Sequence, residues 1–287
     1  MDRILEKVPK SGNDVGPVDY ALKEVTQPVL IVGSSRARDH YYPDIFTDSL
    51  SLETYNVGMP GYFISYNCCL INTILDRYTP KIIIWELCME SLFDRYEDPV
   101  TKLRPYYWNN STAQEYIDAK EGKWARIKYL SNAYRYNDAS VDILYRWLAG
   151  GPDNDPSCGM TPLSNTGSRV DSVLSFENTI GGSVDTDRVD RFHDTLQRLH
   201  DAGVKVFVFD SPLYYLENPD RDMSSESIIY EECQKFFIPV FDNRYLDFFH
   251  HHPEMFRDES HLFDVGARTY SQIAAHQILQ VLRIEEQ

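Results

Sequence analysis

The stretch Pro28-Val-Leu-Ile-Val-Gly-Ser-Ser-Arg36 decides how this chain is read. Pro28–Val32 is a short apolar run of strand length, closed by Gly33. Ser34, Ser35 and Arg36 then open a helix. Working outward, a short helix is expected at Val18–Val25 and a second strand at Leu52–Val57. Apolar residues recur at Ile64, Cys68, Ile71, Leu75 and Tyr78, which paints one face of a helix. Pro80 stops that helix, and Lys81–Leu87 (KIIIWEL) reads as a buried strand. Strands and helices that alternate in this way predict a parallel sheet covered by helices on both faces.

Residues 94–184 break the pattern. They hold a Tyr- and Trp-rich helical stretch around Ala113–Leu148 and a loop of breakers, Gly150-Gly-Pro-Asp-Asn-Asp-Pro156. No repeat or low-complexity tract marks them as separate, so they read as a helical, aromatic-rich insertion within one domain spanning 1–287. The alternation then resumes. A helix is expected at Thr186–Ala202, capped by Asp185 and ended by Gly203. Val204–Phe209 is a strand, Ser224–Phe236 a helix, Pro239–Phe241 a short strand and Asp264–Arg283 the last helix. The fold class expected is α/β, a three-layer α/β/α sandwich of flavodoxin-like type plus the insertion.

Charge narrows the partners. With 28 basic and 44 acidic residues the formal net charge is −16, and no basic run occurs. Such a surface repels phosphate backbones and anionic headgroups, so no nucleic-acid partner is expected. No stretch reaches the roughly 20 apolar residues that span a bilayer, and no signal peptide is visible. The five cysteines form no metal-type pair. His250-His-His252 lacks companion ligands at metal spacing and reads as a solvated loop. The 20 tyrosines fit either an aromatic core or a sugar-binding wall, and composition leaves both open.

Three segments carry chemistry. Ser34 and Ser35 follow a strand and begin a helix, where a hydroxyl is exposed and negative charge is stabilised; they could equally cap that helix. Asn56-Val-Gly-Met-Pro-Gly61 follows the second strand, and a glycine there frees a backbone N–H for an oxyanion. The plain alternative is a tight turn. Asp258-Glu-Ser-His261 precedes the last helix, and an Asp three residues before a His can orient it as a base. Surface turn residues are the alternative. Their joint order, at the ends of strand one, strand two and the final strand, allows one crevice to gather all three. His40, five residues after Ser35, either lines that pocket or packs on the helix. Asp210-Ser-Pro212 lies at a strand end and reads as a turn near the crevice floor.

On these segments the chain resembles the SGNH/GDSL hydrolases. The first block, Gly33-Ser-Ser35, implies Ser35 as nucleophile. Asn56 and Gly61 match the second block's offset, which implies that the Gly61 N–H joins the Ser35 N–H as oxyanion donor. Asp258 and His261, with His-Leu-Phe-Asp-Val-Gly266 as continuation, match the last block and complete the triad. The third block departs: the family's Glu-Leu-Gly-x-Asn-Asp stands here as Glu86-Leu-Cys-Met-Glu-Ser91, with Cys88 for the Gly and Glu90 for the Asn. The amide donor is missing, which leaves catalytic power and reaction type open. Glu90 is expected either to turn to solvent or to sit in the pocket, protonated through burial or paired with Arg36 as a substrate-orienting group.

The chain is also similar to a narrower bacterial group of that superfamily, through Gly33-Ser-Ser-Arg-Ala37, His40-Tyr-Tyr-Pro43, Leu103-Arg-Pro-Tyr-Tyr107 and Tyr134-Arg-Tyr-Asn137. That resemblance implies an extracytoplasmic, periplasmic protein held by an N-terminal membrane anchor that this chain lacks; read as complete, the chain would be cytoplasmic. The implied reaction is hydrolysis of O-acetyl or related acyl esters on a small molecule or glycan, through an acyl-enzyme, without metal or organic cofactor. The substrate-binding residues expected are Arg36, His40 and Glu90. Acyl transfer to a glycan hydroxyl, or glycan binding on a hydrolase scaffold that has lost activity, are the rivals. Residues 94–184 are expected to wall or lid the crevice.

Overall fold

The structure, a computed structural model, describes residues 15–285 except 97, 123, 138–139, 150–157, 165–169, 171–174 and 176–180. The reading of the Gly150–Pro156 loop lies outside the described residues. In chain order the elements are α1 (Val15–Lys23), β1 (Val29–Gly33), α2 (Ser35–His40), α3 (Pro43–Leu50), β2 (Thr54–Asn56), α4 (Ile64–Leu75) and β3 (Ile82–Glu86). The insertion follows, with α5 (Ser111–Glu121), α6 (Ala125–Tyr129), α7 (Asn132–Arg135) and α8 (Ser140–Ala149). Then come α9 (Thr186–Asp201), β4 (Lys205–Asp210), α10 (Ser224–Lys235), β5 (Val240–Asp242), α11 (Asp247–His250), β6 (Phe256–Asp258), β7 (His261–Leu262) and α12 (Asp264–Glu285). No helix among the described residues is long and apolar enough to cross a membrane.

Strands β1 to β5 form one parallel sheet in the order β2-β1-β3-β4-β5. The order reverses between β1 and β3, which is where open α/β sheets leave a crevice beyond their carboxyl ends. Register sharpens this. Gly33 stands opposite Glu86, and Glu86 opposite Phe209, so β1, β3 and β4 release their chains along one edge.

Alternate residues of each strand point to opposite faces, and two cores result. Leu30, Val32, Ile83, Trp85, Val206 and Val208 meet α1, α4, α9 and α10. Val29, Ile31, Ile82, Ile84, Phe207 and Phe209 meet α2, α3, α12 and the β6–β7 hairpin. This is the α/β/α sandwich the alternation predicts. Asp185 caps α9 by accepting from the Arg188 N–H at 3.3 Å.

Phe93 pairs with Val184 in an antiparallel bridge. Asp94 N–H donates to Ser183 O and Asp185 N–H to Leu92 O, both at 2.9 Å. Residues 92–94 and 183–185 thus lie side by side. Its tyrosines 106, 107, 116, 129 and 136 are buried in the core shared with α4 and α9, which favours the aromatic-core reading. Phe63 cannot cap α4, so Asp98 does it from the insertion, accepting from Ser65 N at 2.7 Å and Phe63 N at 3.2 Å. Among the described residues, Tyr96 alone of the insertion lines the cavity beside Ser35. Of the described insertion helices, α5 packs on α4 through Ala113, Tyr116 and Ile117, and none of these helices lines the cavity beside Ser35.

Candidate active site

Gly33 ends β1 at φ +149°, and a Cβ there would stand 2.4 Å from the Glu86 carbonyl oxygen and 2.8 Å from Ala37 Cβ. Only glycine lets α2 start this close to β3. Ser34, the N-cap, makes no side-chain capping bond. Ser35, the first residue of α2, is partly exposed, and its Oγ lies 2.9 Å from His261 Nε2. His261 Nδ1 lies 2.7 Å from Asp258 Oδ1. The Ser260 N–H donates to the same oxygen at 3.1 Å, and Arg257 Nε to Asp258 Oδ2 at 2.9 Å. Burial acts to raise the Asp258 carboxyl, but the His261 hydrogen bond and charge, Arg257 and Ser260 together hold it well below the usual carboxylate range. Asp258 is therefore an anion facing Nδ1, the arrangement that leaves Nε2 free to take a proton from Ser35.

The sequence reading sets Asp258–His261 at the end of the last strand of the sheet. The structure places it in the antiparallel β6–β7 hairpin, off the sheet. After β5 the chain turns through α11, buries Phe249 and Phe256 on the α12 side, and so brings the hairpin against α2.

Ser35 and His261 share a cavity of about 310 Å³ with Phe63, Glu90, Tyr96 and Tyr215. Arg36, Cys88, Asp210 and Arg244 also reach it. Arg36 is committed elsewhere: Nη1 lies 2.6 Å from Asp210 Oδ1 and Nε 3.3 Å from Glu86 Oε1. Burial works against the Arg36 charge, and these two carboxylates outweigh it. Arg244 Nη2 meets Asp242 Oδ2 at 2.7 Å and Glu226 Oε2 at 2.9 Å, tying α10 to the end of β5. Burial lifts the Cys88 thiol to about 11, so it faces the cavity as a neutral group.

Glu90 does not turn to solvent, nor does it pair with Arg36. It lines the cavity with its side chain 17% exposed. Its Oε2 accepts from Arg95 Nη2 and from the Tyr96 hydroxyl, each at 2.6 Å. Arg36 has no charge to spare, and the turn after Glu90 returns Arg95 and Tyr96 to it.

His40 does not line the pocket. It is fully buried, with Nδ1 2.8 Å from Ser211 Oγ and Nε2 3.0 Å from the Leu262 N–H. Asn56 is also spent on structure: its amide donates to Ala37 O and Tyr41 O, and its oxygen accepts from the Gly58 N–H. Gly61 occupies an exposed turn at φ +75°. It is not part of the cavity wall, though Phe63, two residues on, is.

Sequence reasoning missed Arg95, Tyr96 and Tyr215. No motif announces them, since they reach the site through loop geometry. Ser211 had a signal in its place at a strand's carboxyl end. No group of side chains that could hold a metal ion is found among the described residues.

No family model matches the chain, and no curated protein matches it. Among solved structures, an acetyl xylan esterase is similar over 88% of this chain and 98% of that one, with a TM-score of 0.41 and 12% identity.

Proposed function

We propose that this protein is a serine esterase that removes short acyl groups, O-acetyl in the first instance, from carbohydrate. The observation that carries the reading is the unbroken hydrogen-bonded chain Ser35–His261–Asp258 opening on a cavity. In the proposed reaction Ser35 Oγ attacks the ester carbonyl while His261 Nε2 takes its proton. The tetrahedral oxyanion is held by the Ser35 N–H; the Gly61 N–H that the resemblance implies as a second donor stands in an exposed turn outside the cavity wall. His261 protonates the leaving sugar oxygen, and the acyl group stays on Ser35. Water, deprotonated by His261, then releases the acid. Asp258 orients His261 and balances the imidazolium that forms twice.

Cavity size supports a small substrate, since 310 Å³ lies at the low end for ligand sites. The rings of Phe63, Tyr96 and Tyr215 beside the ionic Glu90 and Arg244 offer both stacking and hydrogen bonding, as a sugar needs. The test is release of acetate from p-nitrophenyl acetate and from acetylated xylan, with fluorophosphonate labelling of Ser35. Activity lost in Ser35→Ala supports the proposal. A wild type that neither releases acetate nor takes the label refutes it, and product formed only with a sugar acceptor would assign acyl transfer instead.

A further inference from the structure

We propose that His40 is a positioning residue: from the far end of the helix that carries Ser35, it clamps the backbone directly after His261 and so sets the base against the nucleophile. For its kinetic consequence the inference rests on the esterase reading above.

The clamp follows from atoms. Helix α2 runs from Ser35 to His40, and His40 Nε2 meets the Leu262 N–H at 3.0 Å in a buried contact. A main-chain N–H can only donate, so Nε2 holds the lone pair and the ring proton sits on Nδ1. That proton points to Ser211 Oγ at 2.8 Å, and the Ser211 hydroxyl in turn donates to Glu86 Oε1 at 2.9 Å. Glu86 also accepts from the Tyr41 hydroxyl and pairs with Arg36. The neutral ring with its proton on Nδ1 satisfies both of its partners, Ser211 Oγ and the Leu262 N–H. Burial, then the charges of His261 and Arg36, push His40 well below its ordinary value, in agreement with that tautomer.

The hairpin needs such a clamp. Its strands are three and two residues long, with a register shift between Phe256 and Asp258. A ladder that short fixes a side chain poorly by itself. Through Ser211 and Glu86, His40 refers Leu262 to the ends of β4 and β3, the same edge from which Ser35 emerges. Nucleophile and base are thus joined twice, once by the Ser35–His261 hydrogen bond and once through the backbone.

His40→Asn keeps a donor toward Ser211 and removes the acceptor for Leu262. His40→Gln places an acceptor where Nε2 stood. We expect His40→Asn to lower kcat by roughly 10- to 100-fold with KM nearly unchanged, as small misplacements of a catalytic pair do. Fluorophosphonate labelling of Ser35 should slow by a similar factor, and His40→Gln should recover most of both. Ser211→Ala, which leaves His40 in place and frees only its anchor, should lose a smaller part of kcat. Wild-type kcat and labelling rate in a folded His40→Asn, or in Ser211→Ala should His40→Asn not fold, would overturn the proposal. Hydrogen exchange at the Leu262 amide separates it from the esterase reading: fast exchange in His40→Asn and slow in His40→Gln supports the clamp even in a protein without esterase activity, and equal exchange overturns it.

Discussion

Arg36 and Asp210 form a buried ion pair at 2.6 Å, one residue beyond the proposed nucleophile. Through it the start of α2 is fastened to the end of β4, and through the Glu86 contact to the end of β3. Removing the cation strands two buried carboxylates. Arg36→Met should therefore cost about 3–5 kcal/mol, the range for breaking rather than replacing a buried pair. Urea unfolding at neutral pH measures this, and a loss below about 1 kcal/mol would show that water reaches the carboxylates.

Asp258→Asn keeps the shape of the hairpin but presents an amide to His261 Nδ1. The carboxylate that selects the tautomer and balances the imidazolium is gone. On the proposed mechanism kcat should fall by roughly 10³–10⁴ with KM little changed. Steady-state kinetics on p-nitrophenyl acetate decide it. A fall of less than about tenfold would mean that another group orients His261.

Glu90 is anchored, so shortening it has a structural price. Glu90→Asn withdraws the acceptor from both Arg95 and Tyr96 and should destabilise the protein by about 1–2 kcal/mol. It places an amide where the resemblance has one, yet the loop that Arg95 and Tyr96 hold would loosen, and we expect no gain in kcat. Thermal melts and kinetics on the same preparation test the two halves separately; a faster and equally stable variant would show that Glu90 obstructs the oxyanion.

His40 gives stability a definite pH dependence. Its folded value lies well below 6.5. Above pH 6.5 neither state binds the proton; below it the unfolded chain does and the folded chain does not, so this contribution is lost as pH falls. Glu86 and Asp210, raised by burial, act with the opposite sign, so the comparison is between wild type and His40→Gln, where both remain. The difference in melting temperature should shift in favour of His40→Gln as pH falls from 7 to 5. A constant difference across that range would mean that His40 accepts a proton in the folded state.

The sheet was legible because β1, β3 and β4 each carry an unbroken apolar run, and burial on both faces leaves no other reading for Val29–Val32, Ile82–Trp85 or Val206–Phe209. The Ser35, Asp258 and His261 segments were legible because each follows or precedes a clear element, although the hairpin that holds Asp258 and His261 lies off the sheet and not at the end of its last strand. What escaped depends on distance across loops. Glu90 looked free because Arg95 and Tyr96 fold back through a turn without a motif. His40 looked like a pocket residue because helix spacing says nothing about Leu262, which is 222 residues away in the chain. The aromatic middle third could not be assigned from composition, because tyrosine serves cores and walls alike, and Asp98 capping α4 is a contact between segments that no local pattern reports.

Ser35 and His261 are separated by 226 positions, and the segment that brings the second to the first lies outside the sheet. In a chain made from its N-terminus, β1, α2 and Ser35 are therefore made before the hairpin that carries His261. A fragment that ends before His261 cannot hold the pair. Such a fragment carries Ser35 without the imidazole that meets its hydroxyl, and by the mechanism proposed above it does not cut esters.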